Sequence, residues 1–268
     1  MTQTAKKSPF SMNVDLMHGP IFKNLLLFML PIFISNLFQQ LYNTVDTMIV
    51  GNVLGAIGSC GSIYELLVGF GLGIGNGLAI VAARSYGAQD HDLLKKTVAG
   101  SLVIGLVASL CITLAGVLGL HPLLLMLDTP AEILDDAYRY ILTIDLGVLV
   151  MFAYNLCAGL LRAIGNSVMP LVFLLISSGL NVVLDLLFIA RMGMGVQGAA
   201  VATVLSRYTE TAIVVIWAHT HEKENTYMTG LYKTLSVPRD HVKKYFIKGT
   251  PLLLNEALWS FGMAGSGT

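Results

Sequence analysis

The sequence contains few charged side chains for its length. Only 12% of its 268 residues are Asp, Glu, Lys or Arg, whereas soluble proteins carry about a quarter. No charged residue occurs between Asn24 and Val45, and none occurs between Thr47 and Tyr64. Together with a hydrophobic fraction of 55% and a mean hydropathy of +0.72, this scarcity excludes an ordinary soluble domain and predicts a membrane protein.

Other features that would indicate a different class of protein are also missing. The 16 basic and 16 acidic side chains cancel, so the net charge gives no reason to expect a nucleic-acid partner. The three cysteines show neither disulfide nor zinc-ligand spacing. The sequence contains no P-loop or zincin motif. The glycine-rich segment 69–77 fits no G-x-G-x-x-G register, and we interpret it as a site of close helix packing. We therefore predict no enzyme, no metal site and no cofactor.

Six long apolar runs predict six membrane-spanning helices. At about 20 apolar residues per span, they cover residues 21–50, 59–83, 97–120, 138–160, 168–190 and 197–218. Pro31 and Pro170 are predicted to be helical, because neighbouring helices can satisfy the freed backbone groups. The predicted fold is an all-α membrane bundle, divided into a segment 1–20, a six-helix bundle 21–218, a loop 219–244 and the start of a truncated second bundle at 245–268.

The distribution of Lys and Arg predicts the orientation in the membrane. Thirteen of these residues, including Arg162, lie on the side of the N-terminus, whereas only Arg139 and Arg191 lie on the opposite side. The positive-inside rule therefore places the N-terminus and the 219–244 loop in the cytoplasm, beneath a plasma membrane.

Asp46 interrupts the first apolar run, where a carboxylate costs roughly 2.5 to 3.5 kcal/mol on insertion scales. Polar residues at three- and four-residue steps lead to it along one helix face, namely Asn36, Gln39 or Gln40, and Asn43. The fifth span repeats the pattern with Ser177 or Ser178, Asn181 and Asp185, and the fourth and sixth spans add Asn155 and Thr203.

We interpret these stripes as the lining of a hydrated central cavity in which Asp46 and Asp185 bind a proton or a small cation. Two neighbouring buried carboxylates can hold a proton near neutral pH and release it when their environment changes. The alternative is that the polar groups form interhelical hydrogen bonds that hold the bundle together, each worth about 0.6 kcal/mol.

Other charges inside the predicted spans have simpler explanations. Glu65 and Asp145 lie nearer the span ends, so we expect boundary or pairing residues there. Arg207 and Glu210 are three residues apart and are expected to neutralise one another within one helix.

Four segments, in this order, resemble the first bundle of the multidrug and toxic compound extrusion (MATE) transporters: "LPIFISNLFQQLYNTVDTMIVGNVLG", "ARSYGAQD", "LLRAIGNSVMP" and "SSGLNVVLDLLFI…GVQGAAVATVLS". The resemblance covers nearly the whole chain and implies a bacterial, cation-coupled drug antiporter with two six-helix bundles around a central cavity. On this resemblance the coupling ion, H⁺ or Na⁺, is bound by Asp46, Asp185, Asn181, Asn155 and Thr203. From the polar stripes, the substrate cavity is expected to be lined by Gln40, Asn43, Asn36 and Ser177.

The expected function is export of amphipathic, often cationic compounds through a lipid bilayer, with no cofactor besides the coupling ion. Two departures from the family stand out: "LGAIGS" after Leu54 is short, and the second bundle is cut off, so a full cavity would need that bundle or a second copy of the chain. The alternatives are a truncated, non-transporting membrane fragment and a lipid-linked saccharide flippase of the same superfamily, whose cavity would be more cationic than the single Arg207 suggests.

Overall fold

The computed structural model of the chain describes residues 14–16, 19–50, 61–126, 129–222 and 225. Within the first two helices, the side chains of Asn43, Asp46 and Glu65 and several of their neighbours are not described. Four predicted features therefore lie wholly or largely outside the described residues: the N-terminal segment 1–20, the short loop after Leu54, the loop 219–244 and the second bundle 245–268.

The regular elements in the described residues are seven α-helices and one π-helical segment, without a strand among them. The helices are α1 (Ile21–Val50), α2 (Gly61–Gly87), α3 (His91–Met126), α4 (Leu134–Leu146), α5 (Val148–Ala163), α6 (Val168–Asp185) and α7 (Gly195–Thr220), and the π-helical segment Leu186–Arg191 continues α6. Each of the six predicted spans coincides with helical structure. Pro31 and Pro170 lie inside α1 and α6, as predicted.

The fourth predicted span differs from the sequence prediction, because residues 138–160 do not form one continuous helix. The chain breaks at Gly147, and α4 and α5 are bent by 41° relative to one another. The Gly147 N–H bonds to the Ile144 carbonyl at 2.9 Å, which tightens the end of α4. A Cβ at position 147 would meet Val204 Cγ2 of α7 at 2.8 Å, so this close approach to α7 requires glycine.

Lipid exposure and helix length identify a multi-pass membrane protein. Within the described residues, four helical stretches are long and apolar enough to cross a bilayer, and the bent pair α4–α5 is a fifth if it forms one span. Large apolar side chains such as Phe22, Phe33 and Leu118 are exposed on the outer surface. Such a surface is stable in a bilayer, because its apolar side chains contact lipid rather than water.

The bundle packs around α5, which contacts α2, α3 and α7, while α1 packs along α6. The interpretation of segment 69–77 as a packing site is confirmed at Gly75, where an added Cβ would lie 2.7 Å from the Asn155 Cβ of α5. One turn further along the same contact, a Cβ on Gly159 would lie 2.5 Å from the Ala79 Cβ. These small residues bring the backbones of α2 and α5 together and set the position of Asn155.

Candidate functional site

A fully buried carboxylate lies where α6 passes α7. Asp185 and Asn181 face the same way, because they are one helical turn apart, and they are 0% and 1% exposed. With the Asn181 amide oriented to satisfy both neighbours, its nitrogen donates to Asp185 Oδ2 at 2.9 Å, and its oxygen accepts from the backbone N–H of Thr203 at 3.3 Å. The structure thus brings together three of the predicted cation-site residues.

The same face of α6 continues to Ser177, one turn before Asn181. Its hydroxyl donates to the Ser206 carbonyl of α7 at 3.2 Å, and both serines are buried. We call this set, Ser177, Asn181, Asp185, Thr203 and Ser206, the α6–α7 seam. Ser177, which was expected to line the substrate cavity, therefore serves as an interhelical contact.

A second polar region is a cavity of about 110 Å³. It lies between α1, α2, α5 and the start of α6. It is lined by Ile32, Ser35, Asn36, Gln39, Asn76, Tyr154, Asn155, Arg162, Ser167, Pro170 and Leu174. Asn36 is exposed, so the cavity is not sealed from its surroundings on the α1 side. We call it the α1–α5 cavity.

The structure separates the predicted residues into these two regions. Asn36 and Asn155 line the α1–α5 cavity, where the Asn155 amide donates to the Met151 carbonyl of its own helix at 2.7 Å. Of the two candidate glutamines, Gln39 lines the cavity and Gln40 is exposed. Asn155 was assigned to the cation site by resemblance, but its neighbours are those of the cavity.

Two predicted residues, Asp46 and Asn43, can be placed only by their backbone. Both belong to α1, which packs along α6, and their side chains lie outside the described part of the structure. Their assignment to a cation or substrate site stays a prediction.

Five polar cavity residues were not predicted as site residues: Ser35, Asn76, Tyr154, Arg162 and Ser167. Asn76 is the one strongly polar residue in "GFGLGIGNG", and this was a signal that the packing interpretation overlooked. Arg162 was counted only as a topological anchor, although it lies in the last turn of α5, two turns after Asn155 on the same face of the helix.

The predicted ion pair between Arg207 and Glu210 is confirmed, with an N–O distance of 2.7 Å. Glu210 is fully buried, and the Arg207 guanidinium carbon lies 5.8 Å from the ring centroid of Tyr154. The pair is therefore a neutral unit behind the Tyr154 wall of the cavity, and it adds no net charge there.

Asp145 differs from the expectation of a boundary or pairing residue. It is 0% exposed, and neither carboxyl oxygen has a hydrogen-bond partner within the described residues. The carboxyl packs against Gly116 of α3, where a Cβ would meet Oδ2. Asp145 lies two residues before the break at Gly147, near the end of α4. No three His, Cys, Asp or Glu side chains gather into a metal-binding group in the part of the chain described.

Comparison with known proteins agrees with this architecture. The MatE family model matches residues 31–187. The probable multidrug resistance protein YpnP of Bacillus subtilis is 32% identical over 198 residues, which cover 72% of this chain and 44% of that protein. An outward-facing multidrug resistance MATE family transporter of the MOP superfamily superimposes with a TM-score of 0.85 at 27% identity, covering 94% of this chain and 56% of that one. A MATE protein in complex with MaD3S superimposes equally well, with a TM-score of 0.85, at 27% identity over 94% of this chain and 57% of that chain.

The described residues thus form an all-helical membrane bundle with a buried polar seam and a neighbouring cavity. The family match covers more than half of the sequence, and the chain belongs to the MatE family. The chain spans about half the length of the relatives it matches, and the names of those relatives describe transporters rather than enzymes.

Proposed function

We propose that this chain contributes the first bundle of a multidrug antiporter, which exports amphipathic, often cationic compounds while H⁺ or Na⁺ moves inward. The two relatives named for multidrug resistance support this proposal by their names and their shared fold. The N-terminus would be cytoplasmic, in accordance with the distribution of Lys and Arg.

The observation that carries the proposal is the bonding of Asp185 inside the α6–α7 seam. A carboxylate in the interior of a membrane bundle is costly, and such residues usually mark ion pathways. Asp185 accepts a hydrogen bond from Asn181, and a neutral Asn at position 185 could hold the helices together more cheaply. Carboxylate, amide and backbone oxygens are hard ligands of the kind that Na⁺ takes up, and the carboxylate can equally hold a proton.

Asp46 would be the second acidic member of the ion site. It lies near the end of α1, four residues before Val50, and α1 packs along α6. Binding at Asp46 and Asp185 would shift the equilibrium between inward-open and outward-open states only in proportion to the difference in ion affinity between those states.

A second six-helix bundle would complete the transport pathway, because transporters of this kind work by rocking two repeats around a site between them. The chain covers only about half of each of these relatives. Either a second bundle or a second copy of this chain would supply the opposite wall.

The ion site can be tested on the chain in detergent by carbodiimide labelling, which modifies protonated carboxyl groups in apolar surroundings. We expect Asp185 to be modified at low pH and to be protected when the pH rises, and Na⁺ to protect it at constant pH if Na⁺ is the coupling ion. Mass spectrometry of the peptide that contains Asp185 measures the modified fraction.

Asp135 provides the matched control, since its carboxylate is 75% exposed and pairs with Arg139 at 3.0 Å. Its labelling should not respond to Na⁺. Labelling of Asp185 that is indifferent to both pH and Na⁺ would contradict the proposed ion site and would favour the alternative of a non-transporting membrane fragment.

A further inference from the structure

The α1–α5 cavity carries a single positive charge and no negative charge among its described lining residues. The lining has one guanidinium, from Arg162, together with the four side-chain amides of Asn36, Gln39, Asn76 and Asn155. The buried carboxylates of the bundle, Asp145, Asp185 and Glu210, are not part of this lining. The polarity of the cavity is therefore opposite to that of the α6–α7 seam.

Arg162 lacks the kind of acidic partner that Arg207 and Arg139 have. Arg207 bonds to Glu210 at 2.7 Å, and Arg139 bonds to Asp135 at 3.0 Å. The Arg162 side chain makes no ion pair or hydrogen bond with any described residue, although it is half-buried at the cavity wall. A guanidinium has five N–H donors in a fixed fork that matches a carboxylate or a phosphate, and a partly buried guanidinium without a partner is costly.

The start of α6 adds further donors at the same wall. Ser167 immediately precedes α6, is 1% exposed, and its hydroxyl has no hydrogen-bond partner within the described residues. Ser167 and Pro170 place the first turn of α6 at the cavity, where the positive end of the helix dipole favours an anion. Asn166 caps the same turn by accepting from the Met169 N–H at 3.1 Å.

We propose that the α1–α5 cavity binds the oxyanion group of an amphiphilic compound, a carboxylate or a phosphate, through Arg162 and Ser167. This inference rests on the proposed function as a carrier of amphiphiles, and it names zwitterionic and anionic amphiphiles as a substrate class beside the cationic compounds. The size of the cavity suits a headgroup rather than a whole ligand. A volume of about 110 Å³ is well below the 300 to 1,000 Å³ of pockets that enclose a whole drug-sized ligand, so it accommodates a headgroup while the apolar remainder lies along the bundle.

A matched pair of probes tests the proposal: a zwitterionic rhodamine free acid and its methyl ester, which lacks the anionic oxygen. The purified chain is titrated with each dye in detergent without added lipid, and fluorescence anisotropy gives the two dissociation constants. We expect the acid to bind more tightly than the ester. Arg162→Gln should weaken binding of the acid by roughly ten- to a hundredfold, the range for a lost charge-assisted hydrogen bond, and leave the ester unchanged.

Three variants keep the result interpretable. Arg162→Lys retains the charge without the fork and should fall between the wild type and Arg162→Gln for the acid. Ser167→Ala removes one donor and should weaken acid binding by a smaller factor. Arg84→Gln is the matched control, because Arg84 is an exposed arginine in the last turn of α2 and does not line the cavity; it should change neither constant.

The proposal is overturned if Arg162→Gln changes acid and ester binding equally. It is also overturned if Arg162→Gln folds and binds the acid with the same dissociation constant as the wild type. If Arg162→Gln does not fold, the same criterion applies to Arg162→Lys and Ser167→Ala. These outcomes are independent of the proposed function, because ion-dependent labelling of Asp185 can succeed while the acid and ester are not distinguished, and the reverse can also occur.

Nanodiscs distinguish the two sources of such an oxyanion. The titrations are repeated in nanodiscs of phosphatidylglycerol and of phosphatidylcholine, which both carry a phosphate. If a lipid phosphate occupies the cavity, both lipids weaken acid binding relative to the lipid-free detergent titration in the wild type but not in Arg162→Gln. If the site takes the oxyanion of a soluble compound, the acid retains its advantage over the ester in both lipids.

Discussion

The α6–α7 seam and the α1–α5 cavity both contain asparagine and serine side chains, but the surroundings of these side chains differ. In the seam, Asn181 links a fully buried carboxylate to the backbone of a second helix. In the cavity, the hydrogen bond that Asn155 makes among the described residues is to its own helix, and its side chain lines the same space as Arg162. The seam is acidic and closed by its own hydrogen bonds, and the cavity is basic and accessible along α1.

A mid-membrane asparagine therefore has no fixed role. Where the neighbouring helix presents a backbone N–H, as Thr203 does, the amide becomes part of a hydrogen-bonded network. Where a glycine allows a second helix backbone to approach, as Gly75 does, the asparagine lies at the edge of a cavity. Substitutions in the two regions should therefore have different effects.

Removal of the acid from the seam should have the largest effect. We expect Asp185→Asn to reduce substrate transport driven by a pH or Na⁺ gradient to background in proteoliposomes, because the neutral amide cannot exchange a proton or balance the charge of Na⁺. Insertion into the membrane should not change, since the polar shape is kept. Asp135→Asn, at the exposed ion pair with Arg139, is the control, and coupled transport by Asp185→Asn would contradict the role of the seam.

Adding one carbon at Gly75 should damage the cavity wall and leave the seam intact. The new Cβ would lie 2.7 Å from the Asn155 Cβ and 3.1 Å from the backbone of α5, so Gly75→Ala should lower the free energy of unfolding in detergent by about 1 to 3 kcal/mol. Gly87→Ala, at the end of the same helix, meets nothing within 4 Å and should cost nothing. A Gly75→Ala protein as stable as the Gly87→Ala protein would show that α2 and α5 are not in close contact.

The two asparagines can be compared directly. Asn181→Leu takes away a donor from buried Asp185 and should destabilise the bundle by about 1 to 2 kcal/mol. Asn155→Leu removes a hydrogen bond within α5 and should lower the stability of the bundle by less. Thermal unfolding of both variants measures the difference, and equal losses would mean that the seam is no more strongly bonded than the cavity wall.

The smallest effect is expected at Ser177. Its bond to the Ser206 carbonyl joins α6 to α7, and Ser177→Ala should cost about 0.6 kcal/mol, the average for such bonds in membranes. Thr209→Ala is the control, because the Thr209 hydroxyl bonds to the Leu205 carbonyl of the same helix at 3.0 Å. If Ser177→Ala lowers the free energy of unfolding no more than Thr209→Ala does, the Ser177 hydrogen bond does not stabilise the contact between α6 and α7.

Much of the fold could be predicted because lipid leaves few alternatives to helices. The positions of Asn181, Asp185 and Thr203 were also predictable, since a polar group in an apolar run stands out. The break at Gly147 was not, because glycine is common in membrane helices and the sequence does not distinguish this glycine from the others. The burial of Asp145, two residues before the break, was also missed, because it depends on the approach of Gly116 from α3.

The partition of polar residues between two regions could not be predicted from single helices. Helix periodicity puts Asn36 and Asn181 on polar faces, but the neighbour that each one meets depends on how α1, α2 and α7 are stacked. Arg162 illustrates the limit: a basic residue near the end of a span indicates orientation, and only the tertiary packing shows that its side chain lines a cavity.

The π-helical segment that follows Asp185 has a consequence for how this part of the sequence tolerates insertions and deletions. Its hydrogen bonds skip one more residue than those of an α-helix, as in the bond from the Met192 N–H to the Leu187 carbonyl at 3.0 Å. One surplus residue is thus stored between Asp185 and Arg191. We expect deletion of Ile189 to convert the segment to regular α-helix and to be absorbed there, whereas a one-residue deletion in the middle of α7 would turn Thr203 and Glu210 onto different faces.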